Sequence, residues 1–193
     1  WTQEVGGTGQ EELLDVVAMS DGDVIAVGSS TSSGERWSDV LVVRIGPTGA
    51  VVWERTLAGA DDETGHSLAQ LAGGDLMVAA ESRPVATWTG AWANTDTAAH
   101  LYGLSAAGNL QWQRELGSLY RDLPHALTAT ADGGAVLAGA QGTTDKYNYD
   151  GWMARVDGSG NLLWQFTTGS TKADALQRVL ALADGTIVAA GMR

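Results

Sequence analysis

Apolar residues fall in short continuous runs rather than at helical spacing. VIAV, VLVV, LMVAA, AVLAG and TIVAAG are apolar at successive positions, and Gly, Asp, Ser or Asn bound each of them. A strand with one wet face alternates apolar and polar residues, so these runs predict short strands buried on both faces. EELLDVVAM has the charges to open an amphipathic helix, but its counterparts GHSLAQLA and PHALTATA do not sustain one. All read as strands.

The runs recur along the chain. Trp1, Trp53, Trp112 and Trp164 are 52, 59 and 52 residues apart, and the turn positions Asp21, Gly73, Asp132 and Asp184 repeat those spacings. A third anchor agrees: Gly49, Gly108 and Gly160 each stand four residues before a Trp. Three registers in step mean duplication. Each unit contains four strands, in the first case LLDVVAMS, DVIAVGS, DVLVVRIG and AVVWERTL. The DG and GN pairs between them suit tight hairpins, because Gly accepts positive φ.

Four strands per unit of about 50 residues predict an all-β propeller of four-stranded antiparallel blades. One domain spans residues 1–193, with repeats starting at about 1, 53, 112 and 164. Strand counting from Trp1 gives one final strand, three complete blades, and two strands of another. The counterpart of DVLVVRIG is missing from that last unit, which leaves TIVAAG as an unpaired edge. Natural proteins seldom leave such an edge bare. A continuation of the polypeptide or another chain is therefore expected to complete the blade, within a larger propeller of about six to eight blades.

The pattern of GG or GS, an acidic residue, DGG with an apolar run ending in G, then D with an apolar run and GN-x-x-W resembles the β-propeller repeats of large secreted bacterial proteins. Its Trp-containing end is more distantly similar to the tryptophan-docking repeats of quinoprotein propellers. The resemblance covers essentially the whole chain and specifies fold rather than activity. It implies an extracellular, cell-surface or periplasmic location.

Composition narrows the partners. A net charge of −12, without any Lys/Arg cluster, disfavours nucleic acid and anionic membranes. No apolar stretch is long enough to span a bilayer. The absence of Cys excludes disulfides, thiol catalysis and thiolate metal sites. Opening on Trp1 without a signal peptide, the chain reads as a processed form or an excised piece.

Residues that recur in every unit read as scaffold. Trp1, Trp53, Trp112 and Trp164 are expected to dock between blades, each burying a large apolar area. Glu11, Glu63, Asp122 and Asp174, each ten positions after its Trp, are expected to accept backbone N–H bonds in the interblade loops. His66 and His125 are equivalent, thirteen positions after Trp53 and Trp112. They are ligand-binding candidates, but two histidines without a clear third ligand do not make a metal site. His100 reads as a packed or hydrogen-bonded strand histidine.

Walker, GxSxG and HExxH motifs are all absent. GGTG after Trp1 lacks the Lys and the helix of a phosphate loop, and VDGSGN lacks the acidic spacing of a calcium loop. No cofactor and no metal are expected. Variation gathers in the connections between second and third strands, at the end of the blades opposite the short turns. The stretch from Ala80 to Ala98 takes 18 steps, against 11 from Gly28 to Asp39 and 11 from Gly139 to Asp150. The extra residues include Trp88 and Trp92. With Trp37, Tyr120, Tyr147 and Tyr149, they put aromatics beside hydroxyl and acidic groups, a mixture suited to a protein or sugar contact.

The sequence thus predicts a non-catalytic binding or scaffolding propeller that contacts a protein or a carbohydrate through its long loops. One alternative is a lectin-like carbohydrate module. Another is a fragment of a propeller enzyme, quinoprotein or polysaccharide-acting.

Overall fold

The computed structural model describes residues 1–32, 37–85, 97–118, 120–143 and 148–193. They form fourteen strands and no helix. Strands β1 (Glu11–Ala18), β2 (Val24–Ser30), β3 (Asp39–Ile45) and β4 (Val51–Leu57) pair in chain order as one antiparallel sheet. A second sheet contains β5 (Asp62–Gln70), β6 (Leu76–Arg83), β7 (Ala98–Leu104) and β8 (Leu110–Leu116). A third contains β9 (Asp122–Ala129), β10 (Ala135–Gly142), β11 (Tyr149–Val156) and β12 (Leu162–Thr168). Strands β13 (Ala175–Ala181) and β14 (Ile187–Met192) form a two-stranded sheet.

The first strand of each sheet packs on the sheet before it: β5 on β1, β2 and β3; β9 on β5, β6 and β7; β13 on β9, β10 and β11. Sheets stacked around their first strands make a β-propeller, here three complete blades and the first two strands of a fourth. That stacking explains the unbroken apolar runs. Along β6, Leu76, Val78 and Ala80 face blade one, where they join Ile25, Val27, Val40 and Val42. The intervening Met77 and Ala79 face blade three and meet Leu127, Leu137 and Trp152. Successive side chains point to opposite faces, so a sheet with a neighbour on each side must be apolar at every position.

One expected strand is absent. Residues 1–10 form no strand. A strand needs a neighbour to take its backbone hydrogen bonds, and β14 pairs with β13 alone. The segment is held instead through Trp1, whose Nε1 donates to the Pro47 carbonyl at 3.2 Å.

The tryptophans link each blade to the next. Trp53 lies on the turn of Gly108 and Trp112 on that of Gly160; a Cβ at those glycines would stand 3.0 and 2.5 Å from the rings. Trp1 lies on Gly49 in the same way, at 2.6 Å. The guanidinium groups of Arg55 and Arg114 lie 5.6 and 5.9 Å from the ring centroids of Trp53 and Trp112. Burial, however, is unequal: Trp53 and Trp112 are half-buried, whereas Trp1 is 71% and Trp164 39% exposed. Trp164 stacks on Phe166, with the ring centroids 5.9 Å apart.

The repeated carboxylates close the interblade loops. Glu11 accepts from Gly7 N–H at 3.3 Å, Asp122 from Ser118 N–H at 2.6 Å and Asp174 from Ser170 N–H at 2.6 Å. The Ser32 hydroxyl hydrogen-bonds Glu11 and is the main reason its carboxyl titrates below the usual range. Burial raises that of Asp122 despite its bonds from Ser118. Glu63 departs from the pattern, because its Oε1 accepts from the Tyr102 hydroxyl at 3.0 Å rather than from a loop amide.

Candidate functional site

The ends of the blades differ. At one end the connections are short turns closed by hydrogen bonds such as Met19 N–H to Asp23 O and Gly22 N–H to Met19 O. The other end carries the β2–β3, β6–β7 and β10–β11 connections together with the links between blades. Trp37 is half-buried just before β3, and Tyr149 opens β11. Trp88, Trp92 and Tyr147 lie outside the described residues.

Two features occupy this long-loop end. The first is a groove of about 290 Å³ lined by Asp61, Ser82, Pro84, Thr97, His100 and Tyr120, among others. Pro84 and Thr97 bracket the long β6–β7 connection, so the chain leaves and re-enters the blade at the rim of the groove. Tyr120 is 39% exposed and offers a ring beside the Asp61 carboxylate. Beneath, His100 Nδ1 lies 3.4 Å from the Tyr102 hydroxyl and 3.2 Å from Gln113 Nε2. Burial, reinforced by the Glu63 charge, pushes the Tyr102 hydroxyl well above its ordinary range, so it stays protonated and donates to Glu63.

The second feature is a charged relay across blades two and three. His66 Nε2 lies 3.3 Å from Glu81 Oε2, and Arg83 and Arg121 approach Glu81 Oε1 at 3.2 and 3.8 Å. Arg121 also donates to the Tyr149 hydroxyl at 3.2 Å, and its guanidinium lies 6.0 Å from the centroid of that ring. Burial works to raise the Glu81 carboxyl, but His66 and Arg83 together hold it below the usual range. Glu81 therefore remains a carboxylate. Two sequence candidates, His66 and Tyr149, thus belong to one network, joined by Glu81 and Arg121. Neither connector stood out in the sequence, because each is a single charged residue near a strand end.

His66 and His125 also meet elsewhere. Each innermost strand carries a β-bulge, where one residue has no partner across the ladder: Leu14, His66, His125 and Gln177. All four line one cavity of about 480 Å³ between the inner strands. Bulges re-aim side chains, and here they deliver the same repeat position from every blade. Beside the bulges, Asp15 Oδ2 accepts from the Ser67 hydroxyl at 2.8 Å and from Leu68 N–H at 3.1 Å. Ser67 Oγ in turn accepts from Leu127 N–H at 3.0 Å, which joins the inner strands of three blades. Among the described residues, no three His, Asp or Glu side chains gather as a metal centre would require, and no helix is long and apolar enough to cross a membrane.

No known family profile matches the chain, and no curated protein matches it. Solved structures do. A protein of unknown function from Bacteroides caccae is 12% identical with a TM-score of 0.58, over 98% of this chain and 56% of that one. A gluconolactonase from Xanthomonas campestris is 16% identical with a TM-score of 0.49, over 93% of this chain and 54% of that one. At such identities the likeness concerns fold alone, and the chain spans little more than half the length of either structure.

Proposed function

We propose that this chain is a non-catalytic binding or scaffolding part of a larger extracellular or cell-surface propeller, and that it contacts its partner through the long-loop end. The observation that carries this reading is the groove at that end. It opens between the two bases of the longest connection and combines an exposed ring with a carboxylate and hydroxyl groups, all set on strand ends. A rigid scaffold presenting variable loops is how binding surfaces are commonly built. Likeness to secreted bacterial propeller repeats supports the location.

The partner is a protein or a carbohydrate, and two parallel screens separate these: a glycan array, and affinity capture from the medium and cell surface of a producing culture. Replacing Trp88 and Trp92 together by Ala should abolish the interaction while the melting temperature barely moves. A fall of several degrees would show both rings to be core, and unchanged capture would remove the loop from the contact. Glycan hits without protein capture would favour the lectin-like alternative.

The open side of the last blade supports a second contact. Leu180, Val188 and Met192 are 56%, 50% and 63% exposed, and β14 has a free edge. A chain continuation or another chain covers this edge in the proposed assembly. In the isolated chain, outward amides of β14 should exchange with solvent far faster than those of β10, which is paired on both sides. Equal protection would show that the edge needs no partner.

A further inference from the structure

We propose that the cavity between the inner strands is a separate binding site, for a small uncharged or amine-bearing polyol such as a hexose. At about 480 Å³ it falls within the range of small-ligand pockets, roughly 300–1,000 Å³. Four bulges direct Leu14, His66, His125 and Gln177 to it from equivalent positions. The backbone device is constant while the side chain changes from blade to blade, as expected where the irregularity serves selection rather than packing alone.

The hydrogen bonds of the two histidines decide the ligand chemistry. His125 Nδ1 lies 3.0 Å from the Leu176 carbonyl, which can only accept, so Nδ1 carries the proton. His66 Nε2 faces the Glu81 carboxylate, which likewise only accepts. That leaves Nε2 on His125 and Nδ1 on His66, each an acceptor while its ring is neutral. Asp15 adds a carboxylate whose Oδ2 accepts from Ser67 and Leu68 and whose Oδ1 accepts from Val16 N–H at 2.9 Å. Gln177 can donate and accept. A lining rich in acceptors calls for a ligand rich in O–H or N–H donors. The negative charges of Asp15 and of Glu81 behind His66 disfavour anions, although Arg178 at the rim tempers this. Leu14, Val17 and Val179 supply apolar wall for the C–H faces of a ring.

Calorimetric titration with glucose, inositol, glucosamine and glucuronate tests the site. The three compounds without a carboxylate should bind and glucuronate should bind markedly more weakly. His66→Ala and His125→Ala should each lower affinity by about tenfold, and His125→Gln, which retains an acceptor, should lose less. The Trp88/Trp92 double variant should bind as the parent does, so failure here is distinguishable from failure of the loop-end reading. Nitrogen NMR should find the proton on Nε2 of His66 and Nδ1 of His125, and that measurement also confirms that each His→Ala variant leaves the other ring in place. Absence of binding by all four compounds, equal binding of glucuronate, or unaltered affinity in folded histidine variants would overturn the proposal. So would tight zinc binding that requires both histidines, since the pair would then be metal ligands.

Discussion

Alanine at Trp112 is expected to destabilise the chain by about 3–5 kcal/mol. The half-buried indole packs against the core between blades two and three, lies on the Gly160 turn, and covers Gly103 of its own sheet so closely that a Cβ there would be 2.1 Å from the ring. Its removal leaves a hole lined by backbone, which collapses poorly, and strips Arg114 of its ring. For a chain of this size 1 kcal/mol moves the melting temperature by about 2–4 °C, so the expected fall is roughly 6 °C or more. Trp164→Ala should cost much less, because that ring is 39% exposed, whereas Trp112 is half-buried on the Gly160 turn. Equal losses at the two positions would show that docking on the next turn contributes nothing.

A second large effect isolates the docking itself. Gly160 and Gly185 both sit in hairpin turns with left-handed backbone, at φ +77° and +83°. Alanine costs about 1–2 kcal/mol at either position from conformation alone. The space around them differs: nothing approaches Gly185 within 4 Å, whereas the Trp112 ring stands 2.5 Å from a Cβ at Gly160. Gly160→Ala must displace that ring and should lose a further 1–3 kcal/mol, approximately the cost of overpacking. In a Trp112→Ala background the excess should vanish, because the clashing group is gone. Denaturant unfolding of the four variants measures both quantities. A difference that survives loss of Trp112 would mean that the turn, and not the ring, sets the cost.

The repeat was legible because Trp, Gly and DG turns carry their own spacing, and because burial on both faces removes polar alternation from strands such as VIAV and VLVV. The segment at Trp1 misled, since its Trp matches the anchors while strand formation depends on a neighbour that the residues themselves do not encode. The central cavity was half legible. His66 and His125 were equivalent by count, but Leu14 and Gln177 share no chemistry with them, and a bulge without Gly leaves no mark on composition. Glu81 and Arg121 were invisible for another reason: their importance lies in proximity across two blades, which only folding creates. Trp88, Trp92 and Tyr147 rest on the sequence alone.

The seating of each tryptophan on the following turn gives the array a direction. Each of the three complete units carries both halves of the fastener, an indole on its last strand and a glycine turn to receive the indole before it, so any such unit can follow any other. Stability is then a sum of unit energies and nearest-neighbour couplings, as in a one-dimensional chain. Lengthening the array by duplication requires no new interface, because the coupling is copied with the unit. Unravelling should likewise travel along the array one blade at a time, because each coupling that is lost frees the unit beside it.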